Sequence, residues 1–173
     1  MVDSGALSTA CIRHIFISPG HNFFGRHGQP AGTHPAVDVA AVRCRAGLGL
    51  EGDRFFGYRP DYNGQVTFFA WETVTAARRE FRAPDLRPEV FRRNVITQGV
   101  DLPALAGVRF MLGGIEFEGV GEAKPCYWMD QVVAPGAEVW LRGHGGLRAK
   151  ILSDGELRCG EAVFSAPELL ALG

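Results

Sequence analysis

The sequence predicts a mainly β fold, a barrel or a sandwich, on three observations. Short runs of β-type composition recur along the chain, each bounded by turn residues. Glycine supplies 23 of the 173 residues, about twice the usual ~7%, and most of it falls between those runs. Helical periodicity is confined to a few stretches.

The first strand is predicted at residues 11–18, where a run of alternating character ends at Ser18-Pro19-Gly20. Residues 19–36 form a loop rich in Gly, His and Pro, and residues 37–44 read as a second strand. A second glycine-rich loop runs from Ala46 to Arg54. Gln65 to Ala70 has the composition of a buried strand, and residues 71–81 that of a helix, with Val74, Ala77 and Phe81 at helical spacing. Pro88 is suited to open a helical turn through Phe91, because the first helical position needs no N–H donor. Residues 94–97 read as a strand and Leu102 to Leu105 as a helical turn. Val108 to Leu112 and Ile115 to Gly119 are joined through Gly113-Gly114, a hairpin signal. Residues 127–141 are ambiguous and partly helical in composition. Leu147 to Leu152 and Glu156 to Arg158 are predicted as a second hairpin about Asp154-Gly155, a pair that tolerates positive φ. Residues 161–165 give a last strand, and Pro167 to Leu172 a short tail.

Composition narrows the function classes. A net charge of -1, with 46% hydrophobic residues and a mean hydropathy of +0.01, describes a folded soluble chain with an ordinary core. The balanced charge gives no footprint for duplex nucleic acid. No apolar run approaches the ~18 residues of a membrane-spanning helix, and no signal segment opens the chain. A cytoplasmic location is therefore expected, with no nucleic-acid or membrane partner. Of the 18 basic residues only Lys124 and Lys150 are lysines. The arginine excess fits codon bias, and it equally fits anion binding by planar guanidinium forks.

The four cysteines, Cys11, Cys44, Cys126 and Cys159, contain no C-x-x-C pair and no zinc spacing. Free thiols in a reducing compartment are expected. Cys11 and Cys44 lie in strand-like runs and read as buried structural thiols, and Cys159 precedes a turn at Gly160. His21, His27 and His34 share one loop without a recognised metal spacing. Gly47-x-Gly49-x-x-Gly52 matches a dinucleotide fingerprint literally. That fingerprint needs a following helix to seat the pyrophosphate, and Asp53-Arg54-Phe55-Phe56-Gly57-Tyr58 does not read as one.

Seven segments in order resemble the MOSC domain family, named for the C-terminal domain of molybdenum cofactor sulfurases. They are Gly47 to Phe55, Arg92-Arg93-Asn94-Val95, Gly99-Val100-Asp101-Leu102, Leu105 to Phe110, Glu122-Ala123-Lys124-Pro125-Cys126, Gly143 to Lys150, and Asp154 to Glu161. The motifs span roughly residues 36–164, and the run Ser18 to Gly25 resembles small stand-alone bacterial members. The resemblance implies a MOSC-like β-barrel with a few short peripheral helices. It implies one domain over residues 1–173, with the N-terminal strand and loop at 11–35 included. Two departures stand out: His144 between Gly143 and Gly145, and Cys159-Gly160-Glu161 where Gly-Asp is commoner in the family.

Cys126 occupies the position to which the family assigns either a sulfur-carrying persulfide or a molybdenum ligand. The residues themselves suit such a role. Pro125 restricts the preceding Ala-Lys to extended forms. Lys124 then falls on the same face as Cys126, where a cation stabilises thiolate. The alternative is an ordinary half-buried cysteine. Arg92, Arg93 and Asn94 read either as a phosphate or pterin recognition element or as a basic turn, with Arg93 and Asn94 favoured over Arg92 for recognition. Asp53 reads as structural. Arg54 is equally suited to a local ion pair or to a ligand. Gly145 and Gly146 allow close backbone approach to an anion, with Arg148 adding charge and His144 a proton relay. The same glycines also fit a tight strand entry. Glu72 suits the start of a helix, and Tyr127 and Trp128 are pocket walls or core anchors.

Three functions share this site. The first is a sulfur carrier supplied by a separate pyridoxal-phosphate-dependent cysteine desulfurase. The second is a molybdenum-cofactor reductase of N-hydroxylated compounds, with Cys126 as molybdenum ligand and electrons drawn from outside electron-transfer proteins. The third is a noncatalytic pterin- or partner-binding module. An enzymatic role is thus sulfurtransferase-like or cofactor-dependent. The chain has no room for its own desulfurase domain, so no pyridoxal phosphate is expected on it, and sulfur or cofactor must come from a donor.

Overall fold

Successive side chains of a strand point to opposite faces, and this chain buries both faces of several strands. Ile15, Phe68 and Val95 enter one core, with Phe110 and Phe117. Their neighbours Phe16, Phe69 and Ile96 enter a second core, with Val74, Phe91, Met129 and Leu141. Runs such as Val66–Ala70 therefore carry apolar side chains on both faces, with Thr67 the one polar residue.

The computed structural model describes residues 7–20 and 34–170. Its strands are β1 (Ser8–Ile17), β2 (Val37–Asp38), β3 (Ala41–Arg45), β4 (Gly49–Leu50), β5 (Val66–Ala70) and β6 (Val95–Gln98). They continue as β7 (Arg109–Leu112), β8 (Ile115–Glu122), β9 (Leu147–Ile151), β10 (Gly155–Arg158) and β11 (Gly160–Ser165). The helices are α1 (Trp71–Glu80), α2 (Trp128–Val132), α3 (Ala137–Trp140) and α4 (Pro167–Leu170), with 3-10 turns at Pro88–Phe91 and Pro103–Leu105. The fold is the mainly β barrel that the sequence predicts: seven strands in the order β11-β7-β8-β9-β5-β6-β1, closed by pairing of β1 with β11. The first core fills the barrel. The second lies outside it, beneath α1, α2, α3 and the Pro88–Phe91 turn. Among the described residues only β5 and β6 pair in parallel. They are connected through α1, the long crossover that parallel neighbours require. Among the described residues no helix is long and apolar enough to cross a membrane.

Two sequence expectations are corrected. The predicted strand at 37–44 is two strands, because the chain changes sheets at Val39-Ala40. β2 pairs with β1, whereas β3 pairs with β10 and β4 in a separate three-stranded sheet. The second predicted hairpin does not form: β9 pairs with β5 and β8, and β10 pairs with β3. Asp154 instead accepts the Ala46 N–H at 2.8 Å and faces the Arg45 guanidinium at 3.6 Å. Its carboxylate is thus taken by the end of β3, the strand with which β10 pairs. The ambiguous segment 127–141 resolves into α2 and α3, separated at Pro135-Gly136, where Gly136 turns the chain at φ 88°.

Candidate functional site

Pairing registers bring distant segments level with one another on the outside of the barrel. Thr67 lies opposite Arg148, Arg148 opposite Gly121, and Phe68 opposite Val95, next to Asn94. Val66 and Phe68 point inward, so Thr67 and Arg148 point out. Above them is a cavity of about 190 Å³ whose lining includes Arg54, Arg92, Arg93, Arg148 and Lys124, with the rings of Phe55 and Tyr62. Five cations around a space of this size make a strongly electropositive site.

Arg93 leads into β6 and acts as the clamp of this site. Its Nε donates to Gly145 O at 2.8 Å. One terminal nitrogen donates to Phe91 O at 3.0 Å and Arg92 O at 3.4 Å. The other donates to Ala123 O at 2.6 Å and Lys124 O at 3.3 Å. A guanidinium has five N–H groups, so every donor of Arg93 goes to the main chain. Burial, helped by the neighbouring Arg92, lowers its pKa to about 10, against the opposing pull of Cys126; the side chain is still charged at neutral pH. Asn94 is similarly committed. Its Oδ1 accepts from Thr67 N at 3.1 Å and Thr67 Oγ1 at 2.9 Å, and its Nδ2 donates to Phe16 O at 3.1 Å. Both residues line the cavity, but their polar atoms hold the protein together.

The other cations of the lining are Arg54, Arg92, Lys124 and Arg148. Arg54 is 12% exposed and lies 3.7 Å from Asp53, itself 2% exposed. Its guanidinium stacks over Phe55 at 4.8 Å. Burial lowers its pKa, with Asp53 and then Tyr62 opposing. The Nε of Arg54 is buried without a hydrogen-bond partner among the described residues. Buried polar groups are seldom left so, and an anion in the cavity would satisfy it. Asp53 serves the fold, accepting Ser18 N at 3.0 Å and Phe55 N at 3.2 Å. Arg92 takes a left-handed φ of 60° at the end of the Pro88–Phe91 turn, uncommon for a side chain of its size. Burial and then Arg54 lower its pKa, while Cys126 raises it.

Cys126 is half-buried and adjoins the cavity without lining it. Lys124, two residues earlier, does line it, and Cys126 is close enough to oppose the lowering of the Arg92 and Arg93 pKa values. The segment from Ala123 to Cys126 is irregular rather than a strand. It is tied by Arg93 and by the Ala123 N–H to Gly146 O bond at 2.8 Å. Tyr127 and Trp128 open α2, and Trp128 packs against the second core.

The loop Gly143–Gly146 serves this segment. A Cβ on Gly145 would come within 2.5 Å of Ala123 O and 2.8 Å of Pro125 Cδ, so glycine is required there by close approach. Gly146 adopts φ +100° against the Phe68 carbonyl. The loop amides do meet an anion, and it is internal: Glu122 Oε1 accepts from Gly143 N at 2.8 Å and Gly145 N at 3.2 Å. His144 is exposed and lines a different cavity, with Gly146. Arg54, Arg93, Asn94, Lys124 and Arg148 are thus brought together beside Cys126, with Gly145 behind them and His144 apart. Phe55 and Tyr62 complete the lining, and the one sequence signal for Tyr62 is an aromatic residue among glycines.

Outside this site, Glu72 stands in the first turn of α1 and accepts Gly99 N at 2.8 Å. Gly47, Gly49 and Gly52 all have positive φ, and turns rather than a helix follow them. His34 is exposed, while His21 and His27 lie outside the described residues. Among the described residues no group of three His, Cys, Asp or Glu side chains is placed to hold a metal ion.

The MOSC domain family model matches residues 27–164. No curated protein matches the chain. Among solved structures, the YuaD protein from Bacillus subtilis superposes with a TM-score of 0.74 at 18% identity, over 94% of this chain and 98% of that one. YiiM from Geobacillus stearothermophilus gives 0.64 at 14% identity, over 91% and 74%. YiiM from Escherichia coli gives 0.59 at 18%, over 86% and 68%. At these identities the likeness is one of fold.

Proposed function

The chain belongs to the MOSC domain family, and from that premise we propose that it is a sulfur carrier working through Cys126. The observation that carries this reading is the position of Cys126 beside a cavity ringed by Arg54, Arg92, Arg93 and Arg148. Thiolate is the attacking form in sulfur exchange. The Cys126 thiolate attacks the outer sulfur of a persulfide on a separate pyridoxal-phosphate-dependent desulfurase. A new S–S bond forms on Cys126, the donor S–S bond breaks, and the donor cysteine leaves as thiolate. Onward delivery as sulfide takes two electrons, supplied by a thiol reductant. The acceptor class is phosphorylated, because guanidinium forks match phosphate oxygens; a molybdenum cofactor meets that description.

One observation favours a second reading, in which such a cofactor is resident. The buried, partnerless Nε of Arg54 suits a permanently bound anion. Arg54, Lys124 and Arg148 would hold the anionic end, and the Cys126 thiolate would ligate the metal. When bound, the cofactor supplies a metal centre able to reduce N-hydroxylated compounds, with electrons delivered by a separate protein.

One experiment tests both readings. Protein from a molybdenum-cofactor-competent host is analysed for metal, then incubated with a cysteine desulfurase and cysteine. The carrier gains about 32 Da on Cys126, one sulfur atom, and Cys126→Ser does not. The cofactor enzyme instead arrives with molybdenum that Cys126→Ser lacks. A chain showing neither, beside a working desulfurase control, is a binding module and overturns the proposal.

A further inference from the structure

A second cavity, of about 540 Å³, lies back to back with the arginine pocket. Glu122 and Leu147 line it, while the next residues, Ala123 and Arg148, line the arginine pocket. Its volume falls in the ~300–1,000 Å³ range of small-molecule sites. Its walls are largely apolar, with Val100, Leu102, Pro103 and Leu147 among them, and its charged residues are Glu72, Asp101 and Glu122. Among the described residues neither arginine nor lysine lines it, and His144 is the further titratable side chain there.

The three carboxylates are oriented in advance by main-chain amides. Glu72 Oε1 accepts from Gly99 N at 2.8 Å, Asp101 Oδ1 from Ala104 N at 3.3 Å, and Glu122 Oε1 from Gly143 N and Gly145 N. Their second oxygens accept no hydrogen bond from the described residues. Charge complementarity then selects the occupant. An anion is repelled by three carboxylates, of which Glu122 is half-buried and Glu72 and Asp101 are exposed. A neutral apolar molecule gains the walls alone, whereas an apolar body carrying an ammonium group gains both. We propose that this cavity binds a small organic cation, an ammonium group on an apolar body. The site is independent of the chemistry at Cys126.

The test is calorimetric titration of the full chain with 4-phenylbutylamine, 4-phenylbutanol and 4-phenylbutyrate. The amine is expected to bind at least about tenfold more tightly than the alcohol, a difference of ~1.4 kcal/mol, and the carboxylate more weakly than either. Glu72→Gln combined with Asp101→Asn keeps acceptors for Gly99 and Ala104 but removes two charges. It should weaken the amine about tenfold or more and leave the alcohol nearly unchanged. Thr73→Lys, which sets a fixed cation at the same cavity, gives the same loss by an independent route should the double variant fail to fold. Cys126→Ser leaves all three affinities alone, so failure of the sulfur-carrier reading does not touch this result. An amine that binds no better than the alcohol, or keeps its affinity in the charge variants, overturns the proposal.

Discussion

Arg93 connects three segments distant in sequence: its own turn, the Ala123–Lys124 strand exit and the Gly145 loop. Lysine would keep the charge but concentrate its donors on one nitrogen. Arg93→Lys is therefore expected to lower stability by about 2–4 kcal/mol, since several buried carbonyls lose their partner. It should also quicken labelling of Cys126 by a neutral thiol reagent, because the segment holding that residue loses its anchor. Urea unfolding and mass-resolved labelling of Cys126 check the two effects separately. Arg54 and Arg148 differ from Arg93 in kind: they line the same cavity, and none of the carbonyls that hold Arg93 accepts from them.

At the scale of elements, β8 shapes both cavities. Its pairing with β9 shifts register between Gly119 and Gly121. Such an irregularity bends the strand and brings the Pro103–Leu105 turn against it. A Cβ on Gly119 would fall on the Leu105 carbonyl, where Gly107 N also bonds Gly119 O at 2.9 Å. Gly119→Ala must displace that turn, which carries one wall of the larger cavity. A loss of about 3 kcal/mol or more is expected, read as a lower urea midpoint, with weakened binding of 4-phenylbutylamine in whatever fraction folds. The glycine content that reads as generic turn chemistry is, at Gly119 and Gly145, a matter of backbone passing close to backbone.

The whole molecule couples its second sheet to the barrel through Cys44, which is fully buried in the barrel core. Burial pushes its thiol from 9.0 up to about 12, against a main-chain bond at Leu157. Between these values the unfolded chain releases a proton that the folded chain retains. Stability therefore falls as pH rises above 9, by up to about 1.4 kcal/mol per pH unit. Burial and then Asp38 raise the Cys159 thiol in the same direction. Cys44→Ala starts less stable, for the cavity it leaves, but loses less on alkalinisation. Its deficit relative to wild type should shrink by about 1 kcal/mol between pH 8 and pH 10, measured by urea unfolding at each pH.

Local chemistry made most of the strands legible, because apolar runs and glycine turns are written in adjacent residues. The β7–β8 hairpin at Gly113-Gly114, α1 and the Pro88–Phe91 turn belong to this class, and the ordered motifs were enough to indicate the family and single out Cys126. Which strands pair was not local information. Asp154-Gly155 has the chemistry of a hairpin turn, yet its carboxylate reaches Arg45 and Ala46 across 108 residues. The division of labour among the arginines was equally hidden, since one guanidinium resembles another until the carbonyls around it are known. The sequence by itself determined a glycine-punctuated β chain with one cysteine beside a lysine and a proline. Tertiary structure alone decided that Arg93 is spent on the backbone while Arg54 and Arg148 face the cavity without those carbonyl partners. It also set an acidic cleft behind them, because alternate residues of a strand face opposite ways and only barrel closure determines what each face meets.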